Sequence, residues 1–273
     1  MECLHKISVR KPDGVVWREV PCGQCIACKL NRASEWATRI MHEVKMHKGK
    51  ACFLTLTYNQ ENAPWVSDFY ATLVKKDVQD FLKRLRKRLE PAKIRYYLCG
   101  EYGERYGRPH YHVIVFGLDE ITARELVPTC WTYGFVHCGA VTFESAAYVA
   151  RYCTKLLTGP KKDWYIERNL VPEFSLMSRR PGIGASWLEK FGNEVKTHHS
   201  VVVNGKELPP PRYYRDKVYD ELDRDIVRDR AADFIVKKAK QLAEDMKKHE
   251  GLDVDRVQTR ELSIFRSLRK RGG

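Results

Sequence analysis

Two histidines stand two residues apart in the segment 108–116, Arg-Pro-His-Tyr-His-Val-Ile-Val-Phe. The run is β-branched and aromatic, so it reads as a strand, and alternation along a strand sends His110 and His112 to one face. Before it, 94–99 (Ile-Arg-Tyr-Tyr-Leu-Cys) reads as a second strand, and 100–109 is rich in turn formers. The two strands make a hairpin, which lays Glu101 beside the histidines. Two imidazoles and one carboxylate with open positions suit Mg²⁺ or Mn²⁺ acting on phosphate, or Zn²⁺ in hydrolases. Glu104 is a rival carboxylate in the turn. The plainer alternative is a half-buried strand that carries two histidines.

A second group lies in 144–159, a helix by periodicity, capped by Ser145 and ended by Gly159 and Pro160. At about 100° per residue, Tyr148, Tyr152 and Lys155 fall within about 60° of one another. Val149, Cys153, Leu156 and Leu157 form a separate apolar stripe, so the tyrosines are not needed for the core. Two phenols beside a lysine are an arrangement for chemistry, although tyrosines are common at the edge of an apolar face. A third group is Cys22, Cys25 and Cys28 at C-x-x-C-x-x-C spacing, with Cys3 upstream. Zinc takes four ligands in a tetrahedron, and these four thiols could supply them. An iron–sulfur cluster and a set of reduced cysteines capping a helix are the alternatives.

Other elements must position these groups. A helix is expected from Asn31, which or Ser34 caps it, with Trp36, Ile40 and Val44 on one stripe. Strand 51–58 follows, then an amphipathic helix over 76–90 that turns Val78, Phe81, Leu82, Leu85 and Leu89 inward. Its outer face carries Lys83, Arg84 and Lys87, whose sign suits a nucleic-acid backbone. A short helix is expected over 121–127 and strands over 134–138 and 140–143. Beyond Pro160 the pattern loosens. The loop 178–184, with Arg179 and Arg180, could hold a phosphate, and 187–191 is a short helix at best. His198 and His199 are expected to be exposed, and 216–273 forms a charged, helical tail. The domain reading is a Cys-rich arm (1–30), a main domain (31–215) and that tail (216–273).

Composition sets the class of partner. The 273 residues carry 49 Lys+Arg against 35 Asp+Glu, a formal net charge of +14, which calls for a polyanion, nucleic acid before membrane. No stretch of about 18 apolar residues exists. The N-terminus lacks the apolar core of a signal peptide. Nine cysteines in such a chain point to a reducing compartment. A soluble, cytoplasmic protein with no membrane partner is expected.

Three motifs in order, Phe-Leu-Thr-Leu-Thr at 53–57, His-Tyr-His at 110–112 and Tyr-x-x-x-Tyr-x-x-Lys at 148–155, resemble those of the HUH endonuclease superfamily of rolling-circle replication initiators. The likeness is greatest to the initiators of small single-stranded DNA phages of the gokushovirus group. It rests also on the cysteine knuckle before a Trp-containing helix, Gly-Glu-Tyr-Gly at 100–103, Pro-Gly-Ile-Gly at 181–184 and Pro-Arg-Tyr-Tyr at 211–214, and spans about residues 20 to 215. The resemblance implies an α+β fold of ferredoxin/RRM-like type: a central antiparallel sheet with flanking helices, the histidines on a middle strand and the tyrosine helix across that face. It implies a metal at His110 and His112, with Glu101 as third ligand by position, and Tyr148 and Tyr152 as nucleophiles that nick single-stranded DNA at a replication origin. The product would be a 5′-phosphotyrosine and a free 3′-OH. No P-loop appears in the sequence, so unwinding would fall to a host helicase and synthesis to a host polymerase, in the cytoplasm of an infected bacterium. Rival readings are a transposase or relaxase of the same superfamily, and a non-catalytic module that binds single strands by stacking.

Overall fold

In the computed structural model, the residues described are 3, 5–10, 14, 17–103, 106–152, 160–227 and 229, without the side chains of Arg18, Tyr152 and 160–162. The chain opens with a two-stranded hairpin, β1 (Ile7–Arg10) and β2 (Trp17–Val20), and enters the long helix α1 (Ile26–Met46). β3 (Ala51–Tyr58), α2 (Lys75–Leu89), β4 (Arg95–Tyr102), β5 (Pro109–Phe116), α3 (Glu120–Cys130), β6 (Gly134–Ala140) and α4 (Phe143–Tyr152) follow. After them come α5 (Pro160–Glu167), β7 (Phe174–Met177), α6 (Ala185–His198), the short pair β8 (Val201–Val203) and β9 (Lys206–Leu208), and α7 (Arg212–Val218). The class is α+β, as expected.

One antiparallel sheet of five strands, in the order β6-β3-β5-β4-β7, forms the frame. The histidine strand β5 is its middle member. Along β5, Tyr111, Val113 and Val115 face one way and pack with Leu54, Leu56 and Leu98 against Val78, Phe81, Leu82 and Leu85 of α2 and Ala123 and Val127 of α3. Ile114 and Phe116 face the other way, under Ala37 and Ile40 of α1 and Ala146 and Val149 of α4. The sheet is thus sandwiched between two helical layers. Each fully buried side chain of α2 contributes roughly 1.5–3 kcal/mol, so that helix needs nothing from its basic outer face to stay folded. A third cluster, around Trp187, Leu188, Val195 and Tyr214, joins α6 and α7 to β8.

Several boundaries differ from the sequence reading. α1 begins at Ile26, five residues before Asn31; Cys25 is its N-cap and offers no side-chain cap bond. Asn31 and Ser34 lie inside the helix, which runs through the expected boundary at 30/31. α4 begins at Phe143, not after Ser145. Thr142 is its cap: Ser145 N donates to Thr142 Oγ1 at 3.1 Å and Thr142 N donates to Ser145 Oγ at 2.9 Å, a reciprocal capping box. The strand expected over 140–143 is therefore the end of β6 and the start of a helix. α6 has fourteen residues, where the sequence suggests only a fragment over 187–191. Gly192 and Asn193 break its pattern, and burial of Trp187, Leu188 and Val195 overrides them. His199 is packed, with Nε2 3.4 Å from Asp223, whereas His198 is exposed. α5 and β7 have no counterpart in the sequence reading. The end of the tyrosine helix at Gly159 and nearly all of the tail beyond 229 lie outside the described residues. No described helix is long and apolar enough to cross a membrane.

Candidate metal centre and active site

The antiparallel register of β4 and β5 sets Glu101 opposite His110 and Cys99 opposite His112. Paired residues share a face, so the hairpin brings the carboxylate between the two imidazoles. His110 Nε2 and His112 Nε2 each lie 2.8 Å from the same atom, Glu101 Oε1. The rings are 5.0 Å apart and nearly perpendicular. The three ligand atoms lie within 4.8 Å of one another, close enough for one ion to touch all three.

The far side of each ring fixes what the near side can be. His110 Nδ1 is 3.1 Å from the Arg108 carbonyl, which can only accept, so Nδ1 carries a proton. Nε2 can then donate to Glu101 only as imidazolium; a neutral ring would point a lone pair at the carboxylate. His112 Nδ1 lies 3.1 Å from Thr55 Oγ1, and its ring stacks on Phe53 at 5.3 Å. Two lone pairs and a carboxylate converging on one point demand a cation there, either a proton or a metal ion.

Glu101 is 2 % exposed, and its second oxygen, Oε2, is buried without a hydrogen-bond partner. Burial opposes its ionisation, but the bonds and charge from His110 and His112 outweigh burial and hold the carboxyl at about 2. The reciprocal holds for His110: burial lowers its pKa, and the Glu101 partner raises it by more. A buried carboxylate with one oxygen crowded and the other bare is what a metal ligand looks like before its ion. The donor set, two nitrogens and a carboxylate, accommodates Mg²⁺, Mn²⁺ or Zn²⁺.

α4 brings a tyrosine to this point. Ala146 and Val149 bury against the sheet, which turns Tyr148 toward the histidines. Its hydroxyl donates to Glu101 Oε1 at 3.1 Å, and its ring meets His112 edge-on at 5.2 Å. Tyr152 closes the described part of the helix, its side chain not described, and Lys155 lies outside the described residues.

The expected DNA contacts lie elsewhere. Lys83, Arg84 and Lys87 belong to α2, on the face of the sheet opposite the histidines. Lys83 Nζ pairs with Asp80 at 3.0 Å, and Lys87 is exposed. Arg84 turns back on the protein, with Nε donating to the Cys130 carbonyl at 2.8 Å. Arg179 and Arg180 are exposed on a groove of about 1140 Å³ that also carries Arg86, Lys93, Arg95 and Tyr96. This groove opens at the start of β4, about 20 Å along the strand from Glu101 by the rise per residue. The cysteines do come together, Cys3 Sγ being 3.6 Å from Cys22 Sγ and 3.8 Å from Cys25 Sγ.

Sequence reasoning missed the neighbours on the histidine face. β3 pairs with both β5 and β6, so Thr55 stands between His112 and His137, and Thr57 between His110 and Phe135. Phe135 is 69 % exposed at the open edge of the sheet. Alternation would have put Thr55 and Thr57 on one face, but only the pairing of β3 with β5 makes it the histidine face.

The family model for the replication-associated protein ORF2 matches residues 51–157, from β3 through α4. Glu101, His110, His112, Tyr148, Tyr152 and Lys155 all fall within it. The chain is 34% identical over 221 residues to the replication-associated protein VP4 of Bdellovibrio phage phiMH2K, covering 72% of this chain and 66% of that one. It is 31% identical to the replication-associated protein ORF2 of Spiroplasma virus 4, over 73% of this chain and 68% of the other. It is 28% identical to ORF4, the replication-associated protein of Chlamydia phage 1, over 72% of this chain and 53% of that protein. The chain thus spans about two thirds of the first two relatives and about half of the third. It belongs to the family of phage replication-associated proteins. No solved structure matches it.

Proposed function

We propose that this protein starts rolling-circle replication by nicking and rejoining single-stranded DNA at an origin, with Tyr148 as a nucleophile and a divalent ion at Glu101, His110 and His112. The observation that carries this reading is the convergence of both Nε2 atoms and the Tyr148 hydroxyl on Glu101 Oε1. A Mg²⁺ or Mn²⁺ ion bound there would polarise the scissile phosphate and neutralise its developing charge. The protein does the rest by placement. The Arg108 carbonyl and Thr55 hold the two rings with Nε2 forward, and α4 presents a phenol oxygen to whatever phosphate the site binds. In the transfer, the Tyr148 oxygen bonds to phosphorus and the phosphorus–O3′ bond breaks. The phenol proton is lost and the leaving 3′ oxygen gains one, leaving a 5′-phosphotyrosine and a 3′-OH primer. Reversal by that 3′-OH rejoins the strand. The +14 charge favours DNA as substrate, and Phe135 on the open edge beside Thr57 offers a ring on which a base can stack. Membership in a replication-associated family supports the same reading. Unwinding and synthesis are assigned to host enzymes.

The test is incubation of the protein with origin-bearing single-stranded phage DNA and Mn²⁺, followed by denaturing electrophoresis. A covalent protein–DNA adduct that disappears with chelator and in His112→Ala is expected. Binding without any adduct would place the protein among non-catalytic single-strand binders instead.

A further inference from the structure

The cysteine cluster lies apart from the histidine site. We infer that Cys3, Cys22, Cys25 and Cys28 bind one zinc ion, and that this ion is what folds the N-terminal hairpin onto the rest of the chain. All four sulfurs lie within 4.8 Å of one another, with Cys3 3.6 Å from Cys22 and 3.8 Å from Cys25. A zinc–sulfur bond of about 2.3 Å in a tetrahedron sets the sulfur–sulfur edge at about 3.8 Å. A disulfide would bring two sulfurs to about 2.05 Å, whereas Cys3 and Cys22 sit 3.6 Å apart. A multi-iron cluster seats each cysteine on its own iron and spreads the sulfurs further apart. The spacing therefore selects a single tetrahedral ion.

The backbone around the sulfurs is arranged for thiolates. Cys22 Sγ accepts from Gln24 N at 3.4 Å and Cys25 N at 3.3 Å, and Cys3 Sγ accepts from Cys22 N at 3.3 Å. Gly23, at φ +75°, makes the tight turn that aims these N–H groups back at sulfur. Cys25 is the N-cap of α1 and Cys28 lies in its first turn, where the helix end favours negative charge. Such a knuckle needs no other ligand.

A second observation is the state of the hairpin. Among the described residues before Cys25, none belongs to a hydrophobic cluster, and β1 and β2 pair with each other alone. Trp17, the largest side chain there, is 61 % exposed. A lone two-stranded hairpin is marginal in water. Here its two ends, at Cys3 and Cys22, meet at the sulfur cluster, so the metal closes the loop that the missing core cannot.

The full chain, purified without added metal, is assayed by elemental analysis, then refilled with Co²⁺. About one zinc per chain, retained in His110→Ala/His112→Ala and absent in Cys25→Ser, is expected. Cobalt should give thiolate charge-transfer absorption, which the histidine site cannot produce. Four thiols of the zinc-loaded parent should resist a thiol reagent until chelator is added, and limited proteolysis should then cut within residues 1–25 first. Iron in place of zinc, no metal above trace, cobalt without the thiolate band, or four thiols that react at once with the loaded parent would each overturn the inference. The parent measurements decide the matter even if Cys25→Ser fails to fold, and none depends on DNA cleavage.

Discussion

Thr55 offers a sharp test of how the metal centre is held. Its Oγ1 lies 3.1 Å from His112 Nδ1, and His112 can use Nε2 as a ligand only if Nδ1 carries the proton. Thr55→Val keeps the β-branched shape in a strand but removes the acceptor. A neutral hydrogen bond contributes about 0.5–1.5 kcal/mol, equivalent to roughly 2- to 13-fold in binding. Partners of this kind behind a metal-bound histidine typically cost 10- to 100-fold when removed. The two ranges overlap near 10-fold, or about 1.4 kcal/mol, and that is the expected loss of Mn²⁺ affinity. Calorimetric Mn²⁺ titration of parent, Thr55→Val and Thr55→Ser proteins measures it, with melting as a check on the fold. Thr55→Ser, which keeps the hydroxyl, should recover most of the affinity. If Thr55→Val binds Mn²⁺ as the parent does while remaining folded, Thr55 does not orient the ring and the tautomer assignment fails.

Other expectations follow from the same geometry. In Tyr148→Phe, initial adduct formation should fall sharply; if Tyr152 serves as a second nucleophile, residual adduct persists there and vanishes in the double variant, whereas an unchanged initial rate in Tyr148→Phe would displace Tyr148 from the chemistry. Phe135→Ala should weaken single-strand binding by about 1–3 kcal/mol, the worth of one stacked base, and leave Mn²⁺ affinity alone; fluorescence anisotropy reads the first and calorimetry the second. Glu43 is 1 % exposed and holds three elements together, accepting from Arg95 Nη1 at 2.6 Å and Gly184 N at 2.7 Å. Glu43→Gln leaves Arg95 without its charge partner and should cost about 3–5 kcal/mol, roughly 6–20 °C in Tm at 2–4 °C per kcal/mol. Burial raises the Glu43 pKa, but its bonds to His47, Gly184 and Arg95 lower it by more. Its contribution is therefore present above the ordinary carboxyl range and fades as pH falls through its depressed folded value, so parent stability should drop on acidification and the Glu43→Gln variant should lose that part of the slope.

The elements that carry the site are legible in the sequence because they obey local rules. The alternation of 108–116 puts both histidines on one face, turn-rich 100–109 makes the hairpin, and the hairpin brings Glu101 to them. The periodicity of 144–159 locates Tyr148, though its cap is Thr142. What stays hidden depends on pairings far apart in sequence. Nothing local says that β3 lies beside β5, so Thr55, Phe53 and Phe135 cannot be assigned to the site. Strand β7 has four residues and no clear pattern, and it exists because the edge of β4 is available to it. The basic face of α2 is visible, but its position behind the sheet is not, since charge periodicity does not tell which side of a sheet a helix covers. The start of α1 escapes the sequence rules because Cys25 is a helix cap without a capping side chain.

α1 also has a mechanical role. Its 21 residues make a rod about 31 Å long. Cys28 in the sulfur cluster marks one end, Glu43 in its grip on Arg95 and Gly184 marks the other, and Ala37 and Ile40 lie beneath the tyrosine helix between them. A rod pinned at both ends cannot rock. With one pin removed, a tilt of about 2° swings the free end by about 1 Å and the middle by half that. Displacements of about 1 Å at a reacting atom can cost 100-fold in rate. The aim of the Tyr148 oxygen is therefore set in part by two anchors that never meet DNA, and slack at either would register as lost turnover long before the protein unfolds.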